Sequence, residues 1–382
     1  MKRRAPQVPF ERLREFCSVQ LRRCRKIAKI IYHAARSSGL TGSFRSVRSA
    51  IDRLDFVQFT IRGRLLASKV RTLRNPIDFG QLGKREPIVL SVVRNGMPWL
   101  KSFLAHHRQI GIRAFVILDN GSQDASVEHL MAQPDVILLQ SEAPYNSYEN
   151  TFKRYLCDRF GMGRWCLFVD VDELFYYPGI STKSVQELTG FLDGEGFDAA
   201  LTQMLDMFAN MPMGEIPDTT DLDPVEVFPF YETASINRTP FLKRFGNIVP
   251  DYLEKFSGGV RFRVFGSENS LTKVSLFANS GRLRPFHLWH NVRNAKLADC
   301  SFALLHFPFN RTFRDKVIEA VSTGRYGWVT DDEYDAYAKV MEVNPSLNLM
   351  SEHSCGLTGP MQLVDEGFLT ISSEFGDWLA AK

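Results

Sequence analysis

The sequence predicts an α/β protein built on a mostly parallel sheet flanked by helices, with a basic helical extension ahead of it. Three observations carry that prediction. From Glu86 to Asp170 short apolar runs alternate with helix-length amphipathic stretches, as parallel strands and their crossovers require. Polar residues directly follow three of the runs, at Arg94-Asn95, Asp119-Asn120 and Asp170-Val171-Asp172, and open α/β sheets bind ligands at such carboxyl ends. Charge is segregated as well. Of 47 Lys+Arg and 43 Asp+Glu, 19 and 5 fall before residue 81, so a basic leader precedes an acidic body.

Residues 1–85 read as helices. ERLREFCSVQLRRCRKIAKIIYHAAR keeps apolar residues near helical spacing among arginines, SSGLTGS breaks it, and a second basic helical stretch reaches about Leu73. The leader is either a solvated cap or, through residues 1–80, an arm for an anionic membrane surface. No aromatic-basic interleaving accompanies the charge, so nucleic acid is not an expected partner.

The main domain is expected over 86–340. PIVLSVV reads as a strand, PWLKSFLAHHRQIG as a helix ending at Gly111, AFVILD as a strand and NGSQD as a turn. DASVEHLMAQ then reads as a helix, DVILLQ as a strand, SYENTFKRYLCDRF as a helix and WCLFVD as a strand, completing a first half over 86–197. In the second half, 198–340, ALTQMLDMF and GGVRFRVFG read as strands, MPMGEIPDTTDLDP as a loop and DDEYDAYAKVMEV as a helix. Residues 341–382 read as a polar tail.

Composition narrows the classes. Six cysteines, at 17, 24, 157, 166, 300 and 355, form no CxxC and no paired spacing, which argues against a zinc site or a disulfide framework and for a reducing compartment. No apolar run approaches the roughly 18 residues of a spanning helix. IAKIIYHAA, broken by Lys29 and His33, makes a poor signal peptide. The expected place is the cytoplasm, peripheral to the inner face of the plasma membrane.

CLFVDVDELFYYPG poses the chemical question, because three carboxylates close together resist burial unless something positive joins them. On a strand continued past its last ladder bond, Asp170 and Asp172 share a face while Val171 points into protein. Two carboxylates on one face suit Mn²⁺ or Mg²⁺, with open positions for phosphate oxygens. A second Asp-x-Asp, Asp221 to Asp223, follows no strand and is assigned nothing. Asp119 offers a carboxylate at a neighbouring strand end, with Asn120 and Gly121 shaping the turn and Ser122 and Asp124 available to cap the next helix. Arg94, Asn95, Asn120 and Asp124 are the donor-side candidates at these ends.

VVRNGMPWLKSFLAHHRQIGIRAFVILDNGSQDAS followed by RWCLFVDVDELFYYP resembles the bacterial family-2-like glycosyltransferases of Rossmann-like GT-A fold, in the branch with LDMF and LLHF segments. The resemblance runs from about Ile88 to Tyr337. It implies a nucleotide-sugar donor over the strand ends and a glycan, lipid-linked or other envelope acceptor. It further implies that Asp119 meets the nucleoside and that Asp170 and Asp172 hold the metal and diphosphate, with Glu173 completing Asp-x-Asp-Glu. Asp206 in LLDMF and Glu232 in PFYE fall at matching acidic positions, and Arg263 and Lys273 fall in a segment that faces phosphate. ALLHFPFNRTFRDK matches the late His and Lys, here His306, a metal or pyrophosphate ligand, and Lys316. Two positions depart from the pattern: Gly96 stands where the family carries Glu, and Ala125 where it carries Gly.

An inverting transfer needs a base for the acceptor hydroxyl, and Asp206 is the first candidate, then Glu232 and Glu173. The rivals are a non-catalytic sugar-nucleotide or membrane-binding protein and a HAD-type phosphatase with Asp170 as nucleophile. The phosphatase pattern expects Thr or Val where Leu174 stands, and a Gly-Asp that occurs here only at Gly376-Asp377. No GxGxxG follows the first strand, which disfavours a dinucleotide site.

Overall fold

In the computed structural model of the chain, the described residues are 60–83, 85–286, 290–324 and 328–381. The basic stretches expected before residue 60 lie outside them. The chain falls into two compact units, residues 1–71 and 72–382. Of the first, the described part is a helical run over 60–67, where Ser68 Oγ donates to the Leu65 carbonyl at 2.8 Å.

The second unit is mixed α/β. Among the described residues its sheet has nine strands: β1 (Arg71–Arg74), β2 (Arg85–Val93), β3 (Phe115–Asp119), β4 (Val136–Gln140), β5 (Arg164–Phe168), β6 (Glu173–Tyr176), β7 (Ala199–Asp206), β11 (Thr272–Ala278) and β12 (Leu297–His306). Their order is β1-β4-β3-β2-β5-β11-β7-β12-β6. The β4-β3, β3-β2, β2-β5 and β7-β12 pairs run parallel; β11 runs against both its neighbours, and β6 against β12. Two small sheets pair β8 (Phe230–Tyr231) with β13 (Cys355–Gly356), and β9 (Ile236–Pro240) with β10 (Glu254–Gly258).

The crossovers follow from sequence. Helix α1 (Met97–Gln109) opens with Pro98, whose fixed φ suits a first turn, and buries Trp99, Leu100, Phe103, Leu104 and His107 at helical spacing. Helices α2 (Ser126–Met131) and α3 (Tyr145–Phe160) return the chain to β4 and β5. Helix α4 (Val185–Gly194) starts on a capping box in which Ser184 and Glu187 satisfy each other's backbone N–H groups. Covered on both faces, β3, β7 and β11 are buried at every position. Their polar residues pair internally: Thr202 Oγ1 donates to Ser275 Oγ at 3.1 Å, and Thr272 Oγ1 to Gln203 Oε1 at 2.6 Å.

Four sequence expectations change. The basic helical stretch read to about Leu73 ends at residue 67, and Arg71–Arg74 pairs into the sheet as β1. GGVRFRVFG alternates like a strand but forms helix α6 (Val260–Phe265), burying Val260, Arg261 and Phe265 and exposing Phe262. The chain enters it through Gly259 at φ 67°, ψ −151°, a conformation essentially closed to residues with a Cβ. The strand read as WCLFVD ends at Phe168, so Asp170 to Asp172 sit in a turn. The stretch read as a polar tail is built into the domain over 341–381: β13 pairs with β8, Ser301 N–H donates to the Thr370 carbonyl, and Phe375 is fully buried against Phe191 and Phe302. Between α6 and β13 lie α7 (Phe313–Thr323) and α8 (Trp328–Val343). Among the described residues no helix is long and apolar enough to cross a membrane.

Candidate functional site

From β2 the chain lays β3 and β4 on one side, then returns past β2 to place β5 on the other. The order reverses between β2 and β5, and at such a switch point the loops leaving the carboxyl ends diverge and leave a crevice. A cleft of about 920 Å³ opens there, within the size range of small-molecule sites. Its lining includes Arg94, Asn95, Asn120 and Asp124 from β2 and β3, and Asp170, Asp172 and Glu173 beyond β5. Arg261, Lys273, His306 and Lys316 line it from the second half.

On the β2–β3 side the loops hold each other. Asn95 takes the left-handed φ of 51° that Asn tolerates; its N–H donates to Ser122 Oγ at 2.9 Å and its Oδ1 accepts from Gln123 N–H at 2.8 Å. Gly96 is required by space, because a Cβ there would meet Val93 Cγ2 at 2.5 Å. Asp124 accepts from the backbone N–H of Met97 and of Ser126. Asp119 is fully buried behind the cleft, accepting from Gly121 N–H, Ser122 N–H and Gln140 Nε2 at 2.9–3.1 Å. Asn120 spends its amide on the Ser141 and Ala143 carbonyls, and Arg94 reaches across to Glu319 at 2.8 Å.

The turn after β5 crosses the carboxyl edge, since β6 is separated from β5 in the sheet by β11, β7 and β12. Val171 joins the core while Asp170 and Asp172 line the cleft. The positive charge that these carboxylates require comes from side chains. Lys273 Nζ lies 3.1 Å from Asp170 Oδ2 and is hydrogen-bonded to Glu173, whose other oxygen accepts from Asp170 N–H. The β11–β7 ladder slips between Lys273 and Leu276, the kind of irregularity that re-aims a side chain. Lys316 Nζ and His306 Nε2 lie 3.6 and 3.7 Å from Asp172 Oδ2. Desolvation works against ionising Asp170, but Lys273, with Lys153 near, holds it well below the usual carboxylate range. Asp172 is likewise desolvated and held low by Lys316 and then His306. Glu173 is the exception: burial raises its pKa despite Lys273.

Asp206 is engaged on both oxygens. Arg261 Nε and Nη2 bind them at 2.8 and 2.7 Å, a bidentate pair, and His306 Nδ1 stands 2.6 Å from Oδ1. Burial would raise the Asp206 carboxyl, yet Arg261 and His306 bring it to about 2. His306 is lowered by burial but raised, on balance, by Asp172 and Asp206. The β6–β12–β7 register produces this row, with His306 opposite both Glu173 and Asp206.

The structure therefore brings Arg94, Asn95, Asn120, Asp124, Asp170, Asp172, Glu173, Lys273, His306 and Lys316 to one cleft. Asp119 and Asp206 are buried and do not line it. Glu232 and Arg263, expected at the donor and acceptor sites, pair with each other at 2.9 Å away from the cleft lining; Ser351 Oγ completes Glu232 at 2.7 Å. Sequence reasoning missed Arg261, because a strand would point it the same way as Arg263, whereas the helix separates them. The second Asp-x-Asp is structural: Asp223 caps helix α5 (Pro224–Val227) and Asp221 pairs with Lys101. Among the described residues no three His, Cys, Asp or Glu side chains are gathered into a protein-only metal cage. Comparison of the chain with protein-family models and with curated proteins returns no match.

Proposed function

We propose that the chain is a metal-dependent glycosyltransferase of GT-A type, moving a sugar from a nucleotide-sugar donor to a glycan, lipid-linked or other envelope acceptor. The observation that carries this reading is the cleft at the sheet's switch point, where Asp170 and Asp172 stand among Arg94, Arg261, Lys273 and Lys316. Such a wall offers oxygen donors and cationic groups together, which is what a metal-bound diphosphate uses.

The donor set fits Mg²⁺ or Mn²⁺, ions held by one or two carboxylates and completed by substrate phosphates rather than caged by protein. Asp170 and Asp172 would hold it. Asp206 on Nδ1 of His306 would leave Nε2 to ligate an ion beside Asp172 once its proton is displaced, the arrangement common to ligating histidines. Bound there, the ion supplies neutralisation of the departing diphosphate. With an ion on the carboxylates, Lys273 and Lys316 would be released in part to donate to phosphate oxygens. The interlocked turns at Asn95 and Ser122 hold the nucleoside side rigid, and Asp206 keeps Arg261 and His306 in position.

The test is calorimetric titration of UDP, GDP and their sugars, with and without Mn²⁺, on the wild type and Asp172→Asn. Metal-dependent binding of one nucleotide, weakened at least about tenfold in the variant, is expected from the loss of one charged ligand. No binding by any of them to the folded wild type overturns the reading.

A further inference from the structure

The amino edge of the sheet, opposite the cleft, carries a second surface. The loop over 241–253 joins β9 to β10 and is fastened to the stretch before β12. Asn294 N–H donates to the Phe245 carbonyl at 3.1 Å, Asn247 Nδ2 to Val292 at 3.0 Å and Ile248 N–H to Ala295 at 2.9 Å. Arg284 and Arg293 exchange backbone hydrogen bonds at 3.0 and 2.9 Å, which draws in the stretch after β11. Asp198, ahead of β7, binds Arg282 Nη2 and Lys296 N–H, both at 2.9 Å. Three sequence segments thus form one fixed face.

What this face displays is unusual for a surface meeting only water. Leu242, Ile248 and Tyr252 are 53%, 66% and 55% exposed. Met162, 50% exposed, lies beside Gly281 in the stretch after β11, where an added Cβ would be 3.1 Å from the Met162 methyl. Single exposed apolar residues need no explanation, but several on one rigid face do. Around them the charge is net positive: segments 241–253 and 279–296 together with Asp198 contain six Lys/Arg and two Asp/Glu, Lys243 pairing with Asp251 at 2.6 Å and Arg282 with Asp198 at 2.9 Å. Lys243, Arg244, Arg282 and Arg284 are exposed.

Apolar tips set in a cationic rim match an anionic bilayer, where bases meet headgroups and apolar side chains reach the acyl boundary. A second copy of the chain suits the face poorly, because a two-fold contact would oppose like charge to like. A polynucleotide would use the bases but leave Leu242 and Ile248 idle. We propose that this face docks the protein on an anionic phospholipid surface with the cleft turned away from the bilayer. The inference is independent of the chemistry in the cleft and of the basic leader.

The experiment is co-sedimentation of the full chain with phosphatidylcholine vesicles, with and without phosphatidylglycerol. It compares the wild type, Leu242→Asp/Ile248→Asp and Lys243→Glu/Arg244→Glu. All four positions are exposed, and if one double variant fails to fold the other carries the test. Binding that requires phosphatidylglycerol is expected, with the charge variant weakened at least about 25-fold, at about fivefold for each basic residue lost. The apolar variant should be weakened at least about tenfold by loss of two inserted side chains. Variants that bind as the wild type does would assign binding to another part of the chain and overturn the proposal. A wild-type dimer that these substitutions dissociate would overturn it as well.

Discussion

Replacing Arg261 with Leu gives the most informative single perturbation, because it strands a carboxylate whose surroundings are fully specified. Asp206 is 6% exposed and Arg261 8%, and two hydrogen bonds at 2.8 and 2.7 Å join them. Removing one partner of a buried pair costs about 3–5 kcal/mol. His306 remains on Oδ1, so the lower end, about 3 kcal/mol at pH 7, is expected. The carboxylate also has an escape: it can take a proton. From an unfolded pKa of about 3.9, that costs about 1.4 kcal/mol per pH unit, or about 4 kcal/mol at pH 7 and about 1.5 kcal/mol at pH 5. The folded variant then holds a proton that the unfolded chain lacks, so its deficit shrinks as pH falls. The wild type adds no slope from this group, since Asp206 at about 2 is ionised in both states across that window. Urea unfolding of both proteins at pH 7 and pH 5, followed by the fluorescence of buried Trp165, reads the two gaps. A gap below about 1 kcal/mol at pH 7, or one that does not narrow at pH 5, would refute the reasoning.

Two further substitutions test the packing that frames the site. Phe375→Ala, which empties a fully buried position against Phe191 and Phe302, should cost about 3–5 kcal/mol and lower the Tm; an unchanged Tm would detach the last forty residues from the core. Gly96→Ala forces a Cβ to 2.5 Å from Val93 Cγ2 and should cost about 1–3 kcal/mol in thermal melts, with equal stability showing that the β2–α1 turn gives way freely.

The strands and helices from β2 to β5 were legible in sequence because each carries its own period and its own punctuation, such as Pro98 or the Asn120-Gly121 turn. The cleft's carboxylates were legible for the same reason: they follow strands. What the sequence withheld is everything decided by distant partners. VRFRVF alternates as a strand would, and only the left-handed glycines before it and the burial of Arg261 against Asp206 make it a helix. The requirement for positive charge near Asp170 was readable, but Lys273 meets it from a strand whose place between β5 and β7 no local pattern announces. Glu232 and Arg263 looked like site residues because charge in a sequence does not reveal with whom it pairs. The tail was misread because its elements are short, two to eight residues each, and show no sustained period, although Leu363, Phe368, Leu369 and Phe375 are all buried.

The turn that carries Asp170 to Glu173 over the sheet edge has a consequence for synthesis. Its ion-pair partners, Lys273 and Lys316, and its imidazole neighbour His306 are all made later than it is. On the ribosome the three carboxylates emerge before these partners, with Lys153 the nearby cation already made. A product abandoned before residue 261 therefore holds Arg94 but none of Arg261, Lys273, His306 and Lys316, so the second wall of the cleft depends on the later strands and helices being made.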